Sequence, residues 1–240
     1  MQPFSIVIIT YNEQDHLPRL LNSIKSQTLQ PTETIVADAN STDRTVEIAM
    51  SAGAKVVGGG LPSRGRNLGA AAASTDHLLF FDSDVELTDK RFLEKAWSDF
   101  HAQNYDLATA DVFPIEGNWW DKFSHEFYNK YVRVCGAKRP HLPGFCVFAK
   151  KSLHEKINGF DETIHFAEDH EYAHRAVKSG AKFGFLKDVQ VPVSVRRMER
   201  DGRLSIAVKY ILGELHFLFI GPIKGKKFNY TFGYEKHKRK

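Results

Sequence analysis

The chain has 240 residues, of which 42% are hydrophobic and 26% are charged, as in an ordinary soluble globular protein. This length is enough for one large α/β domain with a sizeable core. The two cysteines, Cys135 and Cys146, show neither metal-binding nor redox spacing, so we expect them to be reduced, as in a cytoplasmic protein. The N-terminus lacks a basic region and a cleavage site, so no signal peptide is expected.

The charge of the chain is concentrated at its C-terminus. Residues 224–240 hold seven Lys or Arg and one Glu, a local charge of +6 in a chain whose net charge is +4. Residues 1–223 therefore carry a net charge of −2. A near-neutral body with a basic tail indicates that the tail meets an anionic surface, and we expect no nucleic-acid partner.

The first hundred residues alternate strand and helix patterns. Strands are predicted over residues 4–10, 34–38, 54–57 and 77–82, and helices over residues 13–27, 40–51 and 67–73. A Gly-rich loop with two arginines precedes the last of these helices. This order predicts an α/β fold with a mostly parallel central sheet and helices on both faces.

The second half is less regular. Helices are predicted over residues 92–103, 119–133, 168–179 and 203–220, and strands over residues 107–113, 144–149, 182–186 and 190–193. The helix over residues 119–133 carries aromatic residues four apart, for which we expect core packing. We expect one domain, residues 1–200, followed by a C-terminal amphipathic helix and basic tail, residues 201–240.

The apolar stretch within the last helix is shorter than the ~20 residues that span a bilayer. An interfacial helix supported by the basic tail fits this pattern. A core or dimer helix with a solvated basic tail fits it equally well.

Polar residues follow all four N-terminal strands. Asp82 and Asp84 come directly after a buried strand, and ligands bind at such strand ends in open α/β sheets. Two carboxylates there suit Mg²⁺ or Mn²⁺, although the spacing alone is equally typical of an acidic turn. The Gly-rich loop is not a dinucleotide-binding fingerprint, because it follows the third strand. Its two arginines before a helix suit a diphosphate.

Together these motifs resemble the inverting glycosyltransferases of family 2, which have the GT-A fold. The matching segments occur in the family's order and extend over about residues 4–190. They are Ser5-Ile-Val-Ile-Ile-Thr-Tyr-Asn-Glu13, Asp38-Ala-Asn-Ser-Thr-Asp-Arg-Thr45, Arg64-Gly-Arg-Asn-Leu-Gly69, Asp82-Ser-Asp84 and Phe166-Ala-Glu-Asp169. Each segment is weak by itself, and the ordered set is specific.

The resemblance implies roles for individual residues. The nucleotide-sugar donor would be bound by Thr10, Tyr11, Glu13, Asp38, Arg64, Arg66, Asn67, Asp82 and Ser83, with Asp38 at the base, the Arg and Asn residues at the diphosphate and Asp82 at the ribose. Asp84 would bind Mg²⁺ or Mn²⁺. Gly144 and Glu168 would lie on the acceptor side, and Asp169 would be the general base.

A carboxylate such as Asp169 at the start of a predicted helix is stabilised by the helix dipole. To deprotonate an acceptor hydroxyl, it must lie within hydrogen-bonding distance of that hydroxyl.

The implied reaction is transfer of a sugar from a nucleotide-sugar, by family habit a UDP-sugar, to an acceptor hydroxyl with inversion. The Gln-x-x-Arg-Trp motif of many relatives is absent after the last strand, which argues against processive synthesis. The basic tail favours a lipid or membrane-linked glycan acceptor and a peripheral position on the inner face of the cell membrane, through residues 204–240. Two alternatives stay open: a sugar nucleotidyltransferase, which would need a Gly-rich loop after the first strand, and a non-catalytic nucleotide-binding module at a membrane surface.

Overall fold

The structure is a computed structural model and describes residues 2–224. Its strands are β1 Ser5–Thr10, β2 Glu33–Asp38, β3 Lys55–Gly58, β4 His77–Asp82, β5 Leu107–Pro114, β6 Cys146–Lys150, β7 Ile164–Phe166, β8 Phe183–Val193 and β9 Ile223–Lys224. Its helices are α1 Leu17–Lys25, α2 Thr45–Ser51, α3 Pro62–Ala72, α4 Phe92–Ala102, α5 Trp119–Cys135, α6 Lys151–Lys156, α7 Glu168–Lys178, α8 Arg196–Asp201 and α9 Arg203–Phe219.

A seven-stranded sheet in the order β3-β2-β1-β4-β6-β5-β8 forms the centre of the fold. All its neighbouring strands are parallel except β6, which runs antiparallel to β4 and β5. Strands β7 and β9 form a separate antiparallel pair. The predicted mostly parallel sheet is confirmed, and β1, β2, β3 and β4 all end at one edge.

Helices cover both faces of the sheet. Alternate residues of β1 point to opposite faces, because the side chains of a strand alternate. Ile6 and Ile8 pack with α1 and α4, whereas Val7 packs with α3, α6 and α7. The continuous apolar pattern of β1 and β4 follows from this burial on both sides.

Helix α3 begins five residues earlier than predicted. Pro62 occupies its first turn, where the missing N–H of proline has no cost. Gly65 and Gly69 lie inside the helix because α3 packs closely on β1: a Cβ at Gly69 would lie 2.2 Å from Val7 Cγ1. Arg64 and Arg66 are therefore helical residues, and the predicted loop over this segment is wrong.

Two further predictions in the second half are wrong. The two predicted strands at residues 182–193 are one strand, β8, interrupted at Asp188, whose φ of 56° is left-handed. The predicted core packing of the α5 aromatic residues is wrong for Trp119, Phe123 and Phe127, which are 65%, 55% and 65% exposed, whereas Tyr131 is partly buried against the core. Helical spacing shows which residues share a face, but not what that face meets.

The predicted C-terminal helix is present as α9. No helix within residues 2–224 is long and apolar enough to cross a membrane. Most of the basic tail, residues 225–240, lies outside the described residues.

Candidate active site

The ends of β1 and β2 are joined by side-chain hydrogen bonds. Asp38 Oδ1 accepts from Thr10 Oγ1 at 3.0 Å and from Ser41 Oγ at 2.6 Å, and Asp38 Oδ2 accepts from the Ser41 N–H at 2.8 Å. Asn12, at a left-handed φ of 54°, donates its N–H to Ser41 Oγ at 2.8 Å. These hydrogen bonds join the two strand ends into one polar surface, in which Asp38 is 7% exposed.

Arg66 lies at the centre of the site and is 2% exposed. Its Nη1 donates to Glu168 Oε1 at 2.8 Å, and its Nη2 donates to Asp82 Oδ1 at 2.9 Å. The guanidinium also lies 5.3 Å from the centre of the Phe160 ring. Arg66 therefore joins the end of β4 to the start of α7 through charge-assisted hydrogen bonds.

The Asp82 carboxyl is unusually basic. Burial, with the neighbouring carboxylates of Asp84 and Glu168, outweighs the opposing effect of Arg66 and raises the pKa of Asp82 to about 7. Asp82 is thus held in a crowded acidic environment, with Arg66 as its direct partner.

Glu13, Arg196 and Asp84 form a second charged group. Arg196 binds Glu13 through both Nη atoms, at 2.9 and 2.6 Å, and its Nε lies 3.2 Å from Asp84 Oδ2. Glu13 is 3% exposed, and burial raises its pKa despite the pairing with Arg196 and a hydrogen bond from Ser83. Arg196 and Asp84 line a cavity of about 150 Å³ together with His16 and Glu116.

Asp169 is the second residue of α7, and His170 fixes the orientation of its carboxylate. Asp169 Oδ1 accepts from the N–H and from Nδ1 of His170, both at 2.8 Å. Burial alone would raise the pKa of Asp169, but His170 and Arg66 outweigh it and lower that pKa. The same ion pair raises the pKa of His170 against the effect of burial. Asp169 is therefore held ionised.

The approach to Asp169 is narrow on the side of Gly144. A Cβ added at Gly144 would lie 2.9 Å from Arg66 Nη2 and 2.9 Å from Asp169 Oδ2. The absence of a side chain at Gly144 thus leaves both charged groups in place. Ala167, which precedes α7, has a left-handed φ of 57°, an uncommon conformation for alanine that fixes how α7 begins.

The structure brings most of the predicted site residues to one edge of the sheet. Several of them are joined there by hydrogen bonds: Thr10 to Asp38, Ser83 to Glu13, and Arg66 to Asp82, Glu168 and Gly144. Tyr11 continues the chain from β1 and is partly buried. Arg64 is exposed on α3. Asn67 points elsewhere: its side chain both donates to and accepts from the backbone of Phe160.

The acidic groups of this edge fit a divalent cation only in part. Within residues 2–224 no group of three or more His, Cys, Asp or Glu side chains could hold a metal by itself. Mg²⁺ at nucleotide sites is bound by one or two carboxylates, with phosphate and water oxygens completing the shell. The single carboxylate of Asp84 beside the cavity fits that arrangement. A metal would thus be held jointly by the chain and a diphosphate.

Comparison with known proteins decides the family. The profile described as Glycosyl transferase family 2 matches residues 5–158. The chain belongs to this family. The poly(ribitol-phosphate) beta-N-acetylglucosaminyltransferase TarS of Staphylococcus aureus is 33% identical over 199 residues, which cover 78% of this chain and 35% of TarS. The 4,4'-diaponeurosporenoate glycosyltransferase of Staphylococcus haemolyticus is 37% identical over 113 residues, which cover 43% of this chain and 30% of that relative.

The chain thus spans 30–35% of the length of these two family 2 relatives. Solved structures show the same fold. Residues 1–349 of S. aureus TarS in complex with UDP-GlcNAc match with a TM-score of 0.66 and 19% identity, over 90% of this chain and 73% of that one. The mannosyltransferase PcManGT from Pyrobaculum calidifontis, in complex with GDP-Man and Mn²⁺, matches with a TM-score of 0.73 and 17% identity, over 93% and 66%. The predicted GT-A fold is confirmed.

Two interactions of this site are not predicted by the sequence. The pairing of His170 with Asp169 has one local signal, because the two residues are adjacent in the chain. Arg196 and Glu13 lie 183 residues apart, and no sequence pattern connects them.

Proposed function

We propose that the protein is a non-processive inverting glycosyltransferase that moves a sugar from a UDP-sugar to an acceptor hydroxyl. The observation that carries this proposal is the contact at Gly144, where Arg66 and Asp169 approach one another. Arg66 also holds Asp82, the last residue of β4, and Asp169 lies in the first turn of α7. Arg66 thus brings the base close to the donor-binding end of β4, as single displacement requires.

On the donor side, we propose that Thr10, Tyr11 and Asp38 hold the nucleotide base and that Asp82 and Ser83 hold the ribose. Glu13 would hold Arg196 in place. Arg64, which is exposed, would bind the diphosphate directly, whereas Arg66 and Asn67 would act mainly by positioning their neighbours. The TarS and PcManGT complexes contain nucleotide-sugars, which supports this assignment.

Asp84 would hold Mg²⁺ or Mn²⁺ together with the donor diphosphate. When bound, the metal offsets the charge that develops on the departing nucleoside diphosphate. The Mn²⁺ in the PcManGT structure supports the choice of a divalent cation.

On the acceptor side, Asp169 would take the proton from the attacking hydroxyl. His170 occupies Oδ1 of Asp169, so the proton would be accepted at Oδ2, the oxygen that faces Gly144. Glu168 holds Arg66, and Gly144 lets the acceptor approach the backbone. Attack by this hydroxyl on the face opposite the leaving diphosphate gives inversion.

We also propose that residues 1–200 form the transferase domain and that residues 204–240 contact an anionic membrane. The acceptor would then be a lipid or a membrane-linked glycan at the inner face of the cell membrane. The support for this proposal is the local charge of +6 in residues 224–240.

The first experiment is a thermal-shift screen with UDP, GDP and dTDP, each with and without Mn²⁺, followed by transfer assays with the matching nucleotide-sugars. We expect UDP to raise the melting temperature more with Mn²⁺ than without it. Asp84→Asn should abolish the Mn²⁺-dependent part. Asp76→Asn is the matched control, because Asp76 is exposed at the opposite end of β4.

Asp169→Asn should keep donor binding and lose transfer by at least about a hundredfold. Transfer by Asp169→Asn at the wild-type rate would refute its role as the base. Nucleotide binding without turnover of any nucleotide-sugar would favour the non-catalytic module, and formation of a nucleotide-sugar from a sugar phosphate would favour the nucleotidyltransferase.

A further inference from the structure

The exposed apolar side chains of the protein are concentrated on two helices. Of the 18 large hydrophobic side chains exposed within residues 2–224, 13 belong to α5 and α9. On α5 they are Trp119, Trp120, Phe123, Phe127 and Val134, and on α9 they are Leu204, Val208, Tyr210, Ile211, Leu212, Leu215, Leu218 and Phe219. Isolated exposed apolar residues are normal, but a concentration of this size marks an interaction surface.

The two helices lie side by side. Arg203 of α9 binds both carboxylate oxygens of Asp121 on α5, each at 2.7 Å. The Tyr131 hydroxyl of α5 donates to Glu214 of α9 at 3.3 Å. These contacts are ten residues apart on α5 and eleven apart on α9, so both helices advance by about 15 Å between them and run in the same direction. The exposed apolar residues of these two neighbouring helices are called the two-helix face below.

One side of α9 lies against the rest of the described protein, and the other side is exposed. Its buried residues are Ile206 and Gly213, and a Cβ at Gly213 would lie 2.5 Å from the Phe166 ring. On the same side, the centre of the Phe217 ring lies 4.9 Å from that of His174. Apolar side chains occupy much of the exposed side, and contact with an apolar surface would remove them from water.

We propose that the two-helix face docks on the surface of an anionic lipid bilayer, with α5 and α9 lying in the plane of the interface. Neither helix is long and apolar enough to cross the membrane. Trp119 and Trp120 begin α5, and tryptophan is enriched at the boundary between headgroups and acyl chains. The basic segment 224–240 follows α9 after four residues and adds electrostatic attraction to acidic headgroups.

Charge favours the bilayer over a second copy of the chain as the occupant. In a two-fold symmetric dimer the same face of both copies meets at the axis. Each copy would then carry a segment with a charge of +6 that follows α9 in the chain. Like charges of that size oppose association, whereas an anionic membrane attracts both the tail and the apolar face.

The inner side of α9 is connected to the proposed base. Glu214 of α9 accepts from His141 Nε2 at 3.0 Å and pairs with Arg139 at 2.7 Å. The His141 ring lies edge-on to His170, with centres 5.0 Å apart, and His170 binds Asp169. If the proposed transferase function holds, an acceptor anchored in the same membrane would reach Asp169 from this side.

Vesicle binding by the full chain tests the docking surface without donor or acceptor. The protein is sedimented with vesicles of phosphatidylcholine, alone or mixed with phosphatidylglycerol. We expect binding to the mixed vesicles that weakens at high salt. Phe123→Ser combined with Phe127→Ser should weaken it by at least about tenfold, because both side chains leave the apolar phase. Met50→Ser, 62% exposed on α2, is the matched control and should leave binding unchanged.

Tryptophan emission gives a second readout, since the chain has three tryptophans and Trp97 is 2% exposed. Mixed vesicles should shift the emission to shorter wavelength, and Trp119→Phe with Trp120→Phe should abolish the shift while retaining vesicle binding. The proposal would be overturned if the Phe123/Phe127 variant bound vesicles as well as the wild type, or if vesicles left the tryptophan emission of the wild type unshifted. It would also be overturned if light scattering showed the wild type to be a stable dimer and the Phe123/Phe127 variant to be a monomer. Vesicle binding by a protein that transfers no sugar would refute the transferase function and leave the docking surface intact.

Discussion

Replacing Gly144 with alanine should both slow catalysis and lower the free energy of unfolding. The added Cβ would lie 2.9 Å from both Arg66 Nη2 and Asp169 Oδ2, whereas ordinary contacts begin at 3.4 Å. One or both groups must move by about half an ångström. Arg66 resists this movement because Glu168 and Asp82 hold its two Nη atoms. We therefore expect the carboxylate of Asp169 to move.

The size of the effect follows from the displacement. A misplacement of about 1 Å in a catalytic group can reduce the rate by about a hundredfold, so half that shift should reduce kcat by about tenfold. This corresponds to about 1.4 kcal/mol in the activation free energy. The added methyl group should lower the free energy of unfolding by about 1–3 kcal/mol, as overpacking usually does. The KM for the donor should change less than kcat.

A double-mutant cycle checks the reasoning. Steady-state transfer is measured for Gly144→Ala in the wild type and in Asp169→Ala, where no carboxylate remains to be displaced. The tenfold loss should shrink to about threefold or less in the second background. If Gly144→Ala has the same effect with and without Asp169, displacement of the base is the wrong explanation.

Three further predictions concern charged and titratable groups. The pKa of His170 is raised, so its ion pair with Asp169 stabilises the protein fully below pH 6.5, and this stabilisation is lost as the pH rises through the raised pKa. In urea unfolding, His170→Asn should therefore be less stable than the wild type at about pH 6 and much closer to it at about pH 9. Burial, with Arg175 and Lys151, lowers the pKa of His154 to about 4, so stability should fall as the pH drops from 6.5 to 4, by up to about 3 kcal/mol, and His154→Gln should remove this fall. Arg196→Gln should bind Mn²⁺ alone about tenfold more tightly and UDP alone more weakly in calorimetry, because a positive charge is lost beside Asp84.

The sheet and the position of the site were predictable because they depend on local patterns. Apolar runs such as His77–Asp82 mark strands buried on both faces, and parallel strands bring their carboxyl ends to one edge. The start of α3 was not predicted because Gly65 was interpreted as a loop residue. Gly65 instead packs closely on Ile9, as Gly69 packs on Val7, which no local pattern shows.

The contacts between distant parts of the site were also beyond prediction. The pairing of Arg66 with Glu168 joins residues 102 positions apart, and that of Arg196 with Glu13 joins residues 183 positions apart. A sequence marks such residues as charged, but the fold alone determines which charges meet. The exposure of the α5 aromatic residues escaped prediction for the same reason, since burial depends on what the rest of the chain places against the helix.

The charge balance of the site gives a physical reason for a divalent cation. The carboxylates are those of Glu13, Asp82, Asp84, Glu168 and Asp169, and the cations that act on them are Arg66, Arg196, Arg197 and protonated His170. Among these nine groups the carboxylates are in excess by one, and the diphosphate of the proposed donor would add about two more negative charges. The raised pKa of Asp82, about 7, already reflects this crowding. A divalent cation beside Asp84 would offset this excess of negative charge. We therefore expect Mn²⁺ to raise the donor affinity strongly, although Asp84 is the single carboxylate proposed to bind it.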